Sequence, residues 1–201
     1  MNVARETRQC AESAVLSEDV IRACAAGAQR SVIDQEGLRK AAVLVPLLCV
    51  EGEWHVLLTR RTEDLEHHRG QISFPGGVAE QGEDPIETAV REAWEEIGLA
   101  RDCIETLCLI DDRWTPSGFC ITPVLAFVRG LDELAANPAE VSRIFTVPLA
   151  VFADEQNAVV RTVSVNGFTR NVYYYEFDGE TIWGATAFII RDTLRLLGLL
   201  A

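Results

Sequence analysis

The chain has 201 residues, 48% of them hydrophobic, and a formal charge of −13. That length and apolar content suffice for a single domain with a well-buried core, and the charge argues against a broad phosphate-backbone surface, so no nucleic-acid partner is expected. No apolar run reaches the ~20 residues of a membrane span and the N-terminus lacks the apolar core of a signal peptide, so the expectation is a cytoplasmic protein with no membrane partner.

Ser17 caps an expected helix over 18–29, and Asp34 and Gly37 mark a polar link after it. Residues 1–38 therefore read as a helical lead-in and 39–201 as the main domain. Residues 41–50 form an apolar run of strand length, and 54–59 continue as a second strand across Gly52, which makes a hairpin. Residues 63–70 are polar and irregular, 71–74 read as a short strand, and Pro75-Gly76-Gly77 reads as a turn. Asp84 is a good N-cap, Pro85 suits the first helical position and Gly98 is a natural stop, which predicts a helix over 85–97. A strand over 104–110, a loop over 111–118 and an apolar strand over 119–128 follow. Residues 138–144 and 147–153 read as short helices. Strands over 159–165 and 169–177 flank Asn166-Gly167, a strong hairpin signal. The last segment, 183–200, has a helical period with Ala187, Ile190, Leu194 and Leu197 on one side. Hairpins with two packed helices fit the α+β class, as an α/β/α sandwich. Cys10, Cys24, Cys49, Cys103, Cys108 and Cys120 are scattered, with no C-x-x-C pair, and read as reduced core thiols rather than zinc ligands.

The helix over 85–97 carries the chemistry. Glu92, Glu95 and Glu96 stand at i, i+3 and i+4 in its last turn, where like charges repel and the negative dipole end disfavours anions. Each such pair costs roughly 0.2–0.5 kcal/mol. A local choice this unfavourable marks a functional site, and a divalent cation removes the conflict. Carboxylate oxygens in this number suit Mg²⁺ or Mn²⁺, ions that work on phosphates. Glu92 and Glu96 are the firmest metal ligands because i and i+4 side chains converge, with Glu95 holding a further ion or helping to deprotonate water.

Residues 77–99, GVAEQGEDPIETAVREAWEEIGL, present G-x5-E-x7-R-E-x-x-E-E-x-G. The run resembles the Nudix box of the Nudix hydrolases, with only Ala93 smaller than the usual aliphatic residue. The resemblance implies a mixed β-sheet between helices and cleavage of a nucleoside diphosphate linked to another group. It assigns Glu92, Glu95 and Glu96 as metal ligands with the Gly77 carbonyl beside them, and Glu83 and Arg91 as a structural ion pair between loop and helix.

Upstream, Leu57-Leu58-Thr59-Arg60-Arg61-Thr62 runs through Gly70-Gln71-Ile72-Ser73-Phe74-Pro75-Gly76-Gly77. This resembles the signature of the coenzyme A diphosphatase branch, L-L-T-x-R-S-x3-R-x3-G-x-V-x-F-P-G-G. Thr62 replaces Ser, Ile72 replaces Val, and Glu66 replaces Arg, a reversal of charge that Arg69 can offset from the same loop. Downstream, Thr115-Pro116-Ser117-Gly118-Phe119 with Thr122-Pro123 resembles a further segment of that branch, and Trp183-Gly184-x-Thr186 reads as packing. The resemblance implies hydrolysis of coenzyme A or a derivative, with 4′-phosphopantetheine and adenosine 3′,5′-bisphosphate as products. Arg60, Arg61, Arg69, Phe74, Thr115, Gly118 and Phe119 become candidate substrate contacts. Arg60, Arg61, His67, His68 and Arg69 form a dense basic cluster suited to a 3′-phosphate. Against this, Arg60 and Arg61 alternate along a strand, which turns only one toward a ligand, and the two histidines fit a solvated loop equally well. The alternatives are a Nudix hydrolase of ADP-ribose, of another nucleoside diphosphate derivative or of a nucleoside triphosphate, and a non-catalytic nucleotide-sensing module on the same fold.

Overall fold

The computed structural model describes residues 16–63, 69–165 and 168–201. His67, His68, Glu66 and the Asn166-Gly167 pair lie outside these residues, as does Cys10. Helix α1 spans Glu18–Ala26, with the Ser17 hydroxyl accepting from the Val20 amide. Strands β1 (Arg39–Val50) and β2 (Glu53–Arg61) form the expected hairpin, and Glu51 and Gly52 take the positive φ that a tight turn requires. Then come β3 (Ile72–Ser73), β4 (Gly76–Val78), α2 (Pro85–Ile97), β5 (Ile104–Leu109), β6 (Arg113–Trp114) and β7 (Phe119–Val128). The remainder is β8 (Val141–Pro148), α3 (Leu149–Ala153), β9 (Val159–Val165), β10 (Phe168–Phe177), β11 (Glu180–Trp183) and α4 (Gly184–Leu196).

The central sheet runs β3-β2-β1-β7-β5, with β4 on β1, β6 on β7 and β8 on β2, while β9 to β11 form a separate three-stranded sheet. It is mixed, because β1 and β7 pair in parallel from Arg39 opposite Phe119 to Leu47 opposite Phe127, and the other pairs are antiparallel. One face packs α2 against Ala42, Leu44, Leu57, Val124 and Ala126. The other collects Val45, Leu47, Val56, Leu58 and Phe127 with Ile21 of α1, Phe152 of α3, Ile182 of β11 and Ile190 of α4. The α+β sandwich is therefore the observed architecture. Trp54 Nε1 donates to the Leu16 carbonyl and Ile21 is fully buried, so α1 shares this core.

The sheet forks in front of α2. β1 pairs with β2 only from Leu47 opposite Val56 to Val50 opposite Glu53. Just before that stretch stands Pro46, which has no amide hydrogen to give a neighbouring strand. Beyond it the two strands diverge, and the chain over 72–78 fills the gap, β3 on β2 and β4 on β1. The Leu44 amide goes to the Pro75 carbonyl between them.

Four readings need correction. Residues 138–144 are not a helix: Val141-Ser-Arg-Ile-Phe-Thr-Val is β-branched and aromatic, and it pairs with β2 as β8. Gly76 and Gly77 are not a plain turn but belong to β4. Trp183 ends β11, and α4 starts at Gly184. Cys49 is disulfide-bonded, whereas Cys24, Cys103, Cys108 and Cys120 are free thiols. No helix among the described residues is long and apolar enough to cross a membrane.

Candidate active site

Helix α2 begins and ends where its residues dictate. The Asp84 carboxylate accepts from the Ile86 and Glu87 amides at 2.8 and 2.9 Å, and the Glu87 side chain accepts from the Asp84 amide at 3.0 Å, a reciprocal cap. Gly98 closes the helix in the left-handed conformation, φ 67°. Ala93 is fully buried in the core under the sheet.

At the entry to the helix Arg91 Nε and Nη2 donate to the two Glu83 oxygens at 2.7 and 3.1 Å, and Nη2 also donates to the Val78 carbonyl. The Thr88 hydroxyl donates to Glu83 as well. The guanidinium beside it, helped by the Glu80 amide, holds the Glu83 carboxyl down at about 2. This clasp ties the loop after β4 to the helix. Arg91 Nη1 then reaches Glu92 at 2.9 Å and Glu95 at 3.1 Å, so the same cation orients two of the acidic residues.

The three carboxylates of the last turn differ in their exposure to water. Glu96 is 2% exposed, and its Oε2 accepts from the Gly76 amide at 3.2 Å. Burial pushes its carboxyl up to about 7, against the pull of Arg61 and the Gly76 amide. Glu92 is largely buried and its carboxyl is raised for the same reason, with Arg91 opposing. Glu95 stays half exposed. The fork brings Gly77 against Glu92: a Cβ there would stand 2.4 Å from the Glu92 Oε1 atom. At Gly76 it would stand 2.4 Å from the Ala42 carbonyl oxygen. The two glycines are thus required by close approach, one to a strand and one to a carboxylate.

Glu140, at the foot of β8, adds negative charge that raises both Glu92 and Glu96. Sequence reading missed it, because its place depends on β8 pairing with β2, where its carbonyl accepts from the Thr62 amide at 2.9 Å.

The candidate substrate contacts separate. Arg61 lies on the α2 side of β2 and reaches Glu96 Oε1 at 3.7 Å. Arg60 points to the opposite side, where it meets Glu63 at 3.0 Å and Glu180 at 3.6 Å. The two arginines therefore do not form one cluster. Arg69 is exposed on the loop before β3. Phe74 is 2% exposed in the core beside Ile72, on the face away from α2, so its ring packs and has no surface to offer a substrate. Thr115, Gly118 and Phe119 form a closed turn: the Gly118 amide donates to the Thr115 carbonyl, the Phe119 amide to the Thr115 hydroxyl, and Arg39 stacks on the Phe119 ring. That turn stands at the start of β1, three residues from the Ala42–Gly77 pair, roughly 10 Å along the strand. The buried Thr186 hydroxyl donates to the Ile72 carbonyl at 2.9 Å, a packing role.

Among the described residues no three carboxylate, imidazole or thiol side chains close around one point. A cage made wholly of protein is not needed for Mg²⁺ or Mn²⁺, which keep waters and take one or two carboxylates plus phosphate oxygens. Two desolvated, mutually repelling carboxylates on one helical face fit such an ion. An open cleft of about 410 Å³ lies over Gly82, Glu83, Glu87 and Arg91, and neither Glu92 nor Glu96 lines it.

Residues 38–163 match the NUDIX domain family. The Nudix hydrolase NudL of Photorhabdus laumondii is 38% identical over 155 residues, covering 77% of this chain and 82% of that protein. NudL of Pectobacterium atrosepticum is 36% identical over 159 residues, covering 77% and 80%. Among solved structures, the Nudix hydrolase RenU of M. smegmatis aligns with a TM-score of 0.50 at 25% identity, over 60% of this chain and 76% of its own. A MutT/nudix family protein of Enterococcus faecalis shares the fold over 98% of this chain and 80% of its own, with a TM-score of 0.52 at 19% identity. With the family matched across the fork, α2 and β8, the chain belongs to the Nudix hydrolases, enzymes that use divalent metal ions to cleave phosphoanhydride bonds in nucleoside diphosphate derivatives.

Proposed function

We propose that this enzyme hydrolyses the diphosphate linkage of coenzyme A or a derivative, releasing 4′-phosphopantetheine and adenosine 3′,5′-bisphosphate. One observation carries the reading: the signature over 57–77 ends on the carboxylates of the box. Its Arg61 stands beside Glu96, its Gly76 amide donates to Glu96, and its Gly77 leaves room for Glu92. The same segment thus marks the branch and shapes the reacting site.

Glu92 and Glu96 are the ligands of a bound Mg²⁺ or Mn²⁺, with the Gly77 carbonyl beside them. The ion supplies charge neutralisation on the phosphoryl oxygens and a more acidic water. We assign Glu95 the role of accepting a proton from water, a role that its half exposure and its contact with Arg91 support. Glu83 and Arg91 hold the loop and helix in register. Thr115, Gly118, Phe119 and Arg69 are proposed as substrate-binding residues because they belong to, or lie within, the segments that resemble the coenzyme A branch. Side-by-side assays of coenzyme A, dephospho-coenzyme A and ADP-ribose test the reading. Coenzyme A is expected to have the highest kcat/KM, and a rate that improves on removing the 3′-phosphate rejects it.

A further inference from the structure

We propose that Arg61 binds the reacting diphosphate itself, not the 3′-phosphate of the adenosine end. The inference rests on the coenzyme A reading only for the identity of the second phosphate.

Along β2, Leu57 faces α2, while Trp54, Val56 and Leu58 face the opposite core. Arg61 follows Leu57 onto the α2 face, and the irregularity in the β2–β8 pairing between Arg60 and Arg61 falls at this point. The side chain is three-quarters buried, yet among the described residues its one ion-pair contact is a long one. Its Nη1 stands 3.7 Å from Glu96 Oε1, beyond a normal hydrogen bond, and its buried Nε has no partner. Arg91, on the same side of the sheet, spends Nε, Nη1 and Nη2 on Glu83, Glu92, Glu95 and the Val78 carbonyl. A buried donor left without an acceptor is costly, and it persists where a ligand supplies the acceptor.

That acceptor must be anionic. The guanidinium is a permanent cation, and Glu96, the carboxylate it meets among the described residues, is the group that would hold the metal ion, so an anion brought by the substrate would balance Arg61. A diphosphate oxygen meets this need, and its geometry matches the planar fork of arginine. In coenzyme A the 3′-phosphate is separated from the diphosphate by three ribose carbons, so a group in contact with the 3′-phosphate has no reason to stand at Glu96. The arginines that face each other in the β2–β8 pairing are already paired: Arg60 with Glu63 and Glu180, and Arg143 with Asp178 and Glu180.

The test uses the full chain and the variants Arg61→Gln and Arg61→Lys with Mn²⁺ on coenzyme A, dephospho-coenzyme A and ADP-ribose. Loss of a charge-stabilising donor at the reacting group predicts a fall in kcat/KM of about 10²-fold in Arg61→Gln, by the same factor on every substrate the wild type cleaves. Arg61→Lys recovers some of it, because the charge remains but the fork is lost. In the wild type, the side-chain Nε–H resonance of Arg61, assigned by its absence from Arg61→Lys, shifts on addition of inorganic pyrophosphate. A loss at least tenfold larger on coenzyme A than on dephospho-coenzyme A, a loss below threefold on all substrates, or an unmoved resonance overturns the proposal. If ADP-ribose proves the preferred substrate and the factor is still uniform, the coenzyme A reading fails and the role of Arg61 stands. If Arg61→Gln does not fold, Arg61→Lys and the resonance decide.

Discussion

The two ends of helix α2 are built on opposite principles. At the N-terminal end Asp84, Glu87, Glu83, Thr88 and Arg91 satisfy one another, and the Glu83 carboxyl is held down at about 2 by the guanidinium against it. At the C-terminal end Glu92 and Glu96 are desolvated beyond what their partners offset, and Glu96 is driven up to about 7. One helix thus has at its entry a loop carboxylate stabilised in its charged form and at its far end one penalised for it. The difference separates scaffold from function, since folding alone rewards only the first arrangement.

Exchanging charges at the two ends breaks the comparison most sharply. Glu96→Gln is expected to lower turnover by about 10³-fold, since it removes a ligand at the reacting site, with the melting temperature retained or raised. A coupled assay and a thermal melt on the same preparation check both halves. Glu83→Gln should do the reverse. It breaks a two-pronged, charge-assisted clasp, so urea denaturation should record a loss of about 2 kcal/mol in stability, with activity falling only as Arg91 loosens its hold on Glu92.

The adjacent glycines give a finer test. Gly77→Ala drives a Cβ into the end of a movable side chain, Glu92, so it should cost about 10²-fold in kcat with less than about 1 kcal/mol in stability. Gly76→Ala meets the Ala42 carbonyl and the Val43 backbone, which cannot swing aside, so it should cost about 1–3 kcal/mol in folding.

The smallest effect is on pH dependence. A carboxyl whose folded value is raised binds its proton more tightly when folded, so Glu96 makes the metal-free protein lose stability as pH rises from 4.5 to about 7, and adds no slope above that. Glu83 has the opposite sign: its contribution is fully present above pH 4.5 and is lost as pH falls through about 2. Urea denaturation at pH 5.5 and 7.5 should therefore show a shallower pH dependence in Glu96→Gln than in the wild type.

Local chemistry makes α2 readable from residue types alone: Asp84-Pro85 and Gly98 set its limits, and the β1–β2 hairpin is legible from its two apolar runs around Gly52. What escapes reading depends on pairing at long range. Pro138-Ala-Glu resembles a helix start, but β2 recruits the following Val141–Pro148 as a strand, and only that pairing carries Glu140 to Glu96. The glycines of β4 read as a turn because no local signal separates a glycine needed for positive φ from one needed for close approach. Phe74 reads as a substrate contact through the signature, whereas the pairing of β3 with β2 delivers it to the far core. Arg60 and Arg61 are neighbours in sequence, but strand alternation turns them to different partners.

The most direct test of the contrast between the two helix ends is a calorimetric Mn²⁺ titration at pH 8 of the wild type, Glu96→Gln and Glu83→Gln. The wild type and Glu83→Gln are expected to bind with affinities within a few-fold of each other, and Glu96→Gln to lose the site. Binding by Glu96→Gln equal to that of the wild type would contradict the assignment of the desolvated end as the metal site.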